Sequence, residues 1–218
     1  MSGESAEARS LIAGAAVLGV TLDAVMAARL LALLDELARW NRSYNLTSIT
    51  ARAEMITHHL LDSLAVQPLL TGERIVDVGT GAGFPGLPLA IVEPTRRFTL
   101  LDSNGKKVRF VAHAARTLGL ANVEPLHARA ETYAPAEVFD TVVARAFAPL
   151  DELVEQVDGL CGPSTRVLAM KGRRSADERA GLPAGWCIEE DRALHVPGLG
   201  EERHVIVLRR SAGAAPLR

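Results

Sequence analysis

Between Thr21 and Trp40, the residues Leu22, Val25, Met26, Leu30, Leu33, Leu34 and Leu37 recur at three- and four-residue intervals. That spacing lays them in one stripe along an α-helix and leaves a polar face opposite. The stretch AEMITHHLLDSLAVQPLL, which starts at Ala53, repeats the pattern and stops near Pro68 and Gly72, residue types that end helices. NRSYNLTSIT, residues 41–50, separates the two and reads as a polar turn. Residues 1–70 are therefore expected to form a helical extension.

From Arg74 the period shortens. RIVDVG (74–79), RFTLLD (97–102), NVEPLHARAE (122–131), FDTVVARAF (139–147) and STRVLAMKG (164–172) are strand candidates. KKVRFVAHAARTLG and PLDELVEQVDGL, which lie between them, are amphipathic helices. Strands alternating with helices build a parallel sheet with helical crossovers. At the end, CIEEDRALHV and RHVIVLRR, joined by PGLGEE, read as an antiparallel hairpin that closes the sheet. The expected fold is α/β: a doubly wound, mostly parallel seven-stranded sheet over residues 71–218, preceded by the helical extension of residues 1–70.

Composition narrows the options. With 218 residues, 48% hydrophobic and 23% charged, the chain has the balance of a globular protein with a real core. Its formal net charge of −2 gives no global basic field, so nucleic acid would have to be met by a local patch. Cys161 and Cys187 make no disulfide framework and have no metal-ligand spacing, as expected of a cytoplasmic protein. The apolar run from Leu11 to Val20 follows MSGESAEARS, whose two glutamates do not suit a signal peptide. No membrane span is expected, because no apolar run approaches the length one needs.

The chemistry starts at DVGTGAGFPG. Gly79, Gly81 and Gly83 follow a strand, an apolar helix follows them, and Asp102 ends the next strand. That arrangement suits a nucleoside-containing ligand, with Asp102 accepting from the ribose hydroxyls. NAD would rest its pyrophosphate on free N–H groups at the helix start. Pro85 stands there and has no N–H. The chain also lacks a Tyr-x-x-x-Lys proton donor and a P-loop. Asp77, inside DVGTGAG, fits S-adenosylmethionine (SAM), which is the preferred ligand.

In a doubly wound sheet the ligand sits between strands one and four, so Arg145, Ala146 and Phe147 should line the crevice. Pyrimidine C5 methylation needs a cysteine nucleophile, and Cys161 and Cys187 lie before strand five and near the hairpin, away from it. RAFAPL is unlike the Asp/Asn-Pro-Pro-aromatic loop of amine methylation. A ring nitrogen such as guanine N7 needs no proton removal, only alignment and electrostatics. Arg145, Lys171 and Arg129, each expected at a carboxyl end of a strand, suit the holding of guanine O6.

WNRSYNLTSIT, HHLLDSLA, DVGTGAGFPGLPLAI, TLLDSNGKKVRFV, ARAFAPL, MKGR and GEERHVIV occur in this order from Trp40 onward. In them the chain resembles the bacterial 16S rRNA guanine-N7 methyltransferase family (small-subunit methyltransferase G, glucose-inhibited division protein B), which acts on guanine 527 in the 530 loop. The resemblance implies a class I, Rossmann-like, SAM-dependent enzyme that releases S-adenosylhomocysteine. It implies that Gly79, Phe84, Ala130, Glu131 and Arg145 hold SAM, and that Asn45, Arg129, Lys171 and Arg203 face the base or RNA. The partner would be 16S rRNA, a 30S subunit or an assembly intermediate, met by a monomer. Asn104, in LDSNGKK, stands where the family often has an apolar residue.

Other features have plainer readings. His58, His59 and Asp62 lack further ligands for a metal, so helix packing, with His59 as polar support, is expected. Lys106, Lys107 and Arg109, with Lys171, Arg173 and Arg174, are either solvated faces or an RNA footprint. At 4% aromatic residues, stacking platforms for single-stranded RNA are scarce. Trp40 and Tyr44 are expected to pack within their helix. Two other functions remain open at this point: a small-molecule methyltransferase, and a SAM-binding assembly factor without catalysis.

Overall fold

The computed structural model describes residues 5–172, 181–211 and 213. Arg173 and Arg174 of the expected basic cluster lie outside them. The helical stripe becomes α2 (Ala24–Tyr44), preceded by α1 (Ala6–Val17). Asp23 caps α2 by accepting from the Met26 amide at 2.7 Å, and Asn45 ends it with φ +49. The third apolar stretch is not one regular helix. It runs as α3 (Arg52–Met55), a π-helical turn (Ile56–Leu61) and α4 (Asp62–Leu64), with a 3₁₀ turn over Gln67–Leu69.

Seven strands follow: β1 (Arg74–Val78), β2 (Arg97–Asp102), β3 (Val123–His127), β4 (Phe139–Arg145), β5 (Cys161–Lys171), β6 (Trp186–Ala193) and β7 (His204–Arg210). Their order is β3-β2-β1-β4-β5-β7-β6. β1 to β5 pair in parallel, and β7 pairs antiparallel with both β5 and β6. The expected α/β sheet and its closing hairpin are therefore observed. Several boundaries differ from the sequence reading: α2 continues through Tyr44, into the stretch read as a turn, and β4 ends at Arg145, two residues before Phe147. β3 stops at His127, because Ala130–Thr132 turn into a short 3₁₀ helix. β5 begins at Cys161, so this cysteine opens the strand instead of preceding it.

Alternation along the strands divides the core. Ile75, Phe98, Leu100, Val143, Leu168, Val205 and Val207 pack with α1, α2, the π-turn, α5 (Gly86–Val92) and α6 (Gly105–Thr117). Val76, Val78, Leu101, Val142, Ala144, Val167 and Ile206 pack on the other face with α7 (Leu150–Val157). Neighbouring residues on one strand thus serve opposite layers. Phe98, Phe110, Leu30 and Leu33 are fully buried or nearly so, each contributing roughly 1.5–3 kcal/mol of transfer free energy. Trp40 stacks on Tyr44 (5.2 Å between centroids) and meets Phe110 edge-on (5.6 Å), so it ties α2 to α6. No helix of the described residues is long and apolar enough to cross a membrane.

Candidate functional site

The chain leaves β1 toward β2 and later returns on the other side as β4, so a crevice opens where these neighbours diverge. Two clefts meet there. The first, about 610 Å³, is lined by Thr47, His59, Asp62, Phe84, Arg145, Lys171 and Arg203, among others. The second, about 400 Å³, is lined by Asp102, Ala130, Glu131, Arg129 and Phe147, among others. Gly79, Lys107 and Ala146 line both.

The glycine loop is shaped by backbone demands. Gly79, Gly81 and Gly83 have φ of +67°, +60° and +84°, a region in which a β-carbon is strained. Gly79 also touches its neighbour: a Cβ there would lie 2.3 Å from Cδ2 of Phe147. The first turn of α5 is already engaged. The Gly86 amide donates to Oδ2 of Asp77 at 2.8 Å and the Leu87 amide donates to the Gly83 carbonyl at 2.7 Å. Pro85 precedes them without an N–H. A pyrophosphate would find no donors there.

Asp77 is buried at the end of β1, and its Oδ2 also accepts from Oγ1 of Thr80 at 2.6 Å. Burial pushes its carboxyl up to about 6, and the bonds from Thr80 and Gly86 with the Arg145 charge only partly offset that. Asp102 is buried too. Its Oδ2 accepts from the Gly81 amide at 2.8 Å and its Oδ1 from the Asn104 amide at 2.7 Å. This carboxylate therefore anchors the glycine loop, a task in addition to the ribose contact expected of it. Asn104 caps α6 by accepting from Lys106, which accounts for an asparagine at that position.

Arg145 sits at the end of β4 with its plane fixed on three sides. Its Nη1 donates to Oδ2 of Asp62 at 3.0 Å and to the His58 carbonyl at 2.9 Å, and its Cζ lies 5.7 Å from the Phe84 ring centroid. The next residue, Ala146, has φ +49; a non-glycine residue held there stores strain, as functional sites often do. Arg203 approaches the same carboxylate, with Nε 3.3 Å from Oδ1 of Asp62, an ion pair without hydrogen-bond alignment. The Lys171 ammonium donates to the Ala148 carbonyl at 2.5 Å.

His59 stacks on Phe84, 4.8 Å between centroids, and its Nε2 lies 3.0 Å from Oγ1 of Thr47. Thr47 is held in turn by reciprocal bonds with the Asn41 side chain. Burial, then the nearby Arg145 charge, lowers the His59 pKa to about 4. Neutral imidazole is thus favoured at pH 7, and the expected polar support takes this physical form. His59 stabilises the fold above pH 6.5, and that contribution is lost as pH falls toward 4. Asp77 behaves oppositely: its neutral form is the favoured one, so its burial cost appears as pH rises from about 4 to 6. Replacing His59 with asparagine should therefore stabilise the protein at pH 4.5 relative to pH 7 by roughly 2 to 3 kcal/mol compared with the unmodified chain. Denaturant melts at the two pH values measure this; an unchanged difference would refute it.

The structure brings Arg145, Lys171 and Arg203 into one cleft and puts Arg129 in the other, 3.5 Å from Glu131. Gly79, Gly81 and Phe84 line the first cleft, and Asp102, Ala130 and Glu131 the second. Asn45 stays exposed at the end of α2, one residue before the lining begins at Leu46. Sequence reasoning missed Asp62 as the shared partner of two arginines and Thr47 as the partner of His59. The three-residue step from His59 to Asp62 was a signal for the former. Cys161 is buried at the start of β5, with its thiol pushed up to about 12 by burial; it lines neither cleft.

Residues 26–206 match the rRNA small subunit methyltransferase G (GidB) family. The chain is 49% identical over 201 residues to ribosomal RNA small subunit methyltransferase G of Nitrosococcus oceani, covering 92% of this chain and 94% of that protein. It is 47% identical over 206 residues to the protein of the same name from Pseudomonas aeruginosa, covering 94% and 96%. A SAM-dependent methyltransferase structure from Aquifex aeolicus superposes with a TM-score of 0.53 at 18% identity, over 69% of this chain and 90% of that one, which is a likeness of fold.

Proposed function

Because the chain belongs to the rRNA small subunit methyltransferase G family, we propose that it transfers the methyl group of SAM to N7 of a guanine in the 530 loop of 16S rRNA. The observation that carries this reading is the meeting of two unlike clefts at Gly79 and Ala146. The second, with Asp102, Ala130 and Glu131, suits the nucleoside. The first, with Arg145, Lys171 and Arg203 on its wall, suits an electron-rich base.

When bound, SAM supplies an electrophilic methyl group to the N7 lone pair. The residues then have no proton to remove, because N7 carries none. Their work is alignment and the placing of charge. Cationic donors hold guanine O6, beside the reacting nitrogen. Arg145 is pre-aimed by Asp62, His58 and Phe84, so little reorientation is needed as the reaction proceeds. Neutral His59 adds no further positive charge to those of Arg145, Arg203 and Lys171 while the ring becomes cationic. Phe84 and Gly81 line the first cleft and Gly79 lines both, whereas Gly83, expected to hold SAM, stands against the Leu87 side chain and lines neither. Arg129 and Asn45, outside the arginine cleft, are assigned to RNA contacts away from the reacting base, with Lys107 at the junction.

Incubating the protein with methyl-labelled SAM and 30S particles or naked 16S rRNA should place the label in N7-methylguanosine at a single position. Comparing the two substrates decides which form of the RNA is used. Affinity should fall steeply with salt, as phosphate contacts require. Absence of label in rRNA, with transfer to purified metabolites instead, would overturn the reading.

A further inference from the structure

The two arginines of the first cleft come from distant parts of the chain, the end of β4 and the approach to β7. What joins them is one carboxylate from the helical segment. Asp62 is 2% exposed; its Oδ2 accepts from Nη1 of Arg145 at 3.0 Å, and its Oδ1 faces Nε of Arg203 at 3.3 Å. We propose that Asp62 is a positioning residue for methyl transfer, holding Arg145 and Arg203 at the orientation in which they grip the acceptor base. The proposal rests on the reading of the first cleft as the base site.

Three observations support it. A carboxylate this deeply buried is costly without cations beside it, yet both of its partners line the cleft. Each guanidinium has five donors in a rigid plane. Binding one edge to Asp62 therefore sets the direction of the rest, and for Arg145 the Phe84 ring and the His58 carbonyl fix the same plane. Asp62 also follows directly on the π-helical turn Ile56–Leu61. Such turns carry an extra residue and recur at functional sites. Here the turn ends with both His59 and Asp62 buried against the cleft. The Arg203 contact has no hydrogen-bond alignment, and Arg203 also meets the exposed Glu201 at 3.0 Å. Contacts of this kind commonly tighten only when substrate is bound.

The test compares Asp62→Ala, Arg203→Ala and the double variant, using 30S particles, labelled SAM and calorimetry with S-adenosylhomocysteine. Asp62→Ala should lower the transfer rate by about 30-fold, the size of one charged hydrogen bond. Its S-adenosylhomocysteine affinity should fall by less than the rate does, because Asp102, Ala130 and Glu131 line the other cleft, away from Asp62. The double variant should lose much less than the product of the two single losses, because the pair acts as a unit. Added formate should restore part of the Asp62→Ala rate by refilling the space between the arginines. Asp62→Ser, which keeps a polar group but cannot span two guanidiniums, should show the same pattern and serves if the alanine variant does not fold. Multiplying losses, a rate within about threefold of the unmodified chain, or a loss that formate leaves untouched would each overturn the proposal. If the unmodified chain transferred no methyl group to 30S particles, the base-site reading would fall first. An active unmodified chain with an equally active Asp62→Ala would overturn the Asp62 proposal alone.

Discussion

Replacing Arg145 with alanine should lower methyl transfer to 30S particles by about 100- to 1,000-fold, the usual cost of removing one pre-aimed donor from a reacting centre. Arg145 is where the first cleft, the glycine loop and the helical segment converge. It touches Asp62, the His58 carbonyl and the Phe84 ring. The same substitution should cost the fold only about 1–3 kcal/mol. Arg203 still stands 3.3 Å from Asp62, so the buried carboxylate keeps a cation beside it. Arg145→Lys separates the two effects. It restores charge opposite Asp62 but not the planar fork, so stability should recover further than rate. Initial rates with labelled SAM, set against thermal melts, read both. Turnover within about threefold of the unmodified chain would remove Arg145 from the mechanism.

Gly79→Ala should abolish useful SAM binding, with S-adenosylhomocysteine affinity falling by about 100-fold. Two costs add. An alanine at φ +67 is strained by roughly 1–2 kcal/mol. Its Cβ would then lie 2.3 Å from Cδ2 of Phe147, driving that ring out of place in the second cleft. Gly81 provides the control. Its φ is +60, but a Cβ there meets nothing closer than 3.9 Å. Gly81→Ala should therefore show the strain without the collision, a loss nearer tenfold. Calorimetric titration of both variants tests the difference; equal losses would mean that the Phe147 contact has no part in binding.

Much of the candidate site was legible because its parts are local. DVGTGAG and TLLD each sit within a few residues of a strand end, so alternation alone put Gly79 and Asp102 at the carboxyl edge. β4 ends at Arg145, two residues short of the stretch FDTVVARAF, because Ala146 turns out of the strand with φ +49. The extent of β3 was overread: in NVEPLHARAE the apolar alternation weakens after His127, and the chain turns at Ala130. The π-turn was not readable either. Its stretch has the same apolar spacing as an ordinary helix, and one added residue per turn leaves little mark on so short a segment.

By itself the sequence determined the strand and helix periods, the glycines that a positive φ demands, and the family to which those motifs belong. These depend on interactions between residues close in the chain. Only the tertiary structure decided that Asp62 serves two arginines 83 and 141 positions away, that Arg129 and Arg145 stand in different clefts, and that Asp102 anchors the glycine loop. An ion pair acts through space at a few ångströms, and the separation of its partners along the chain leaves no period for a sequence to display.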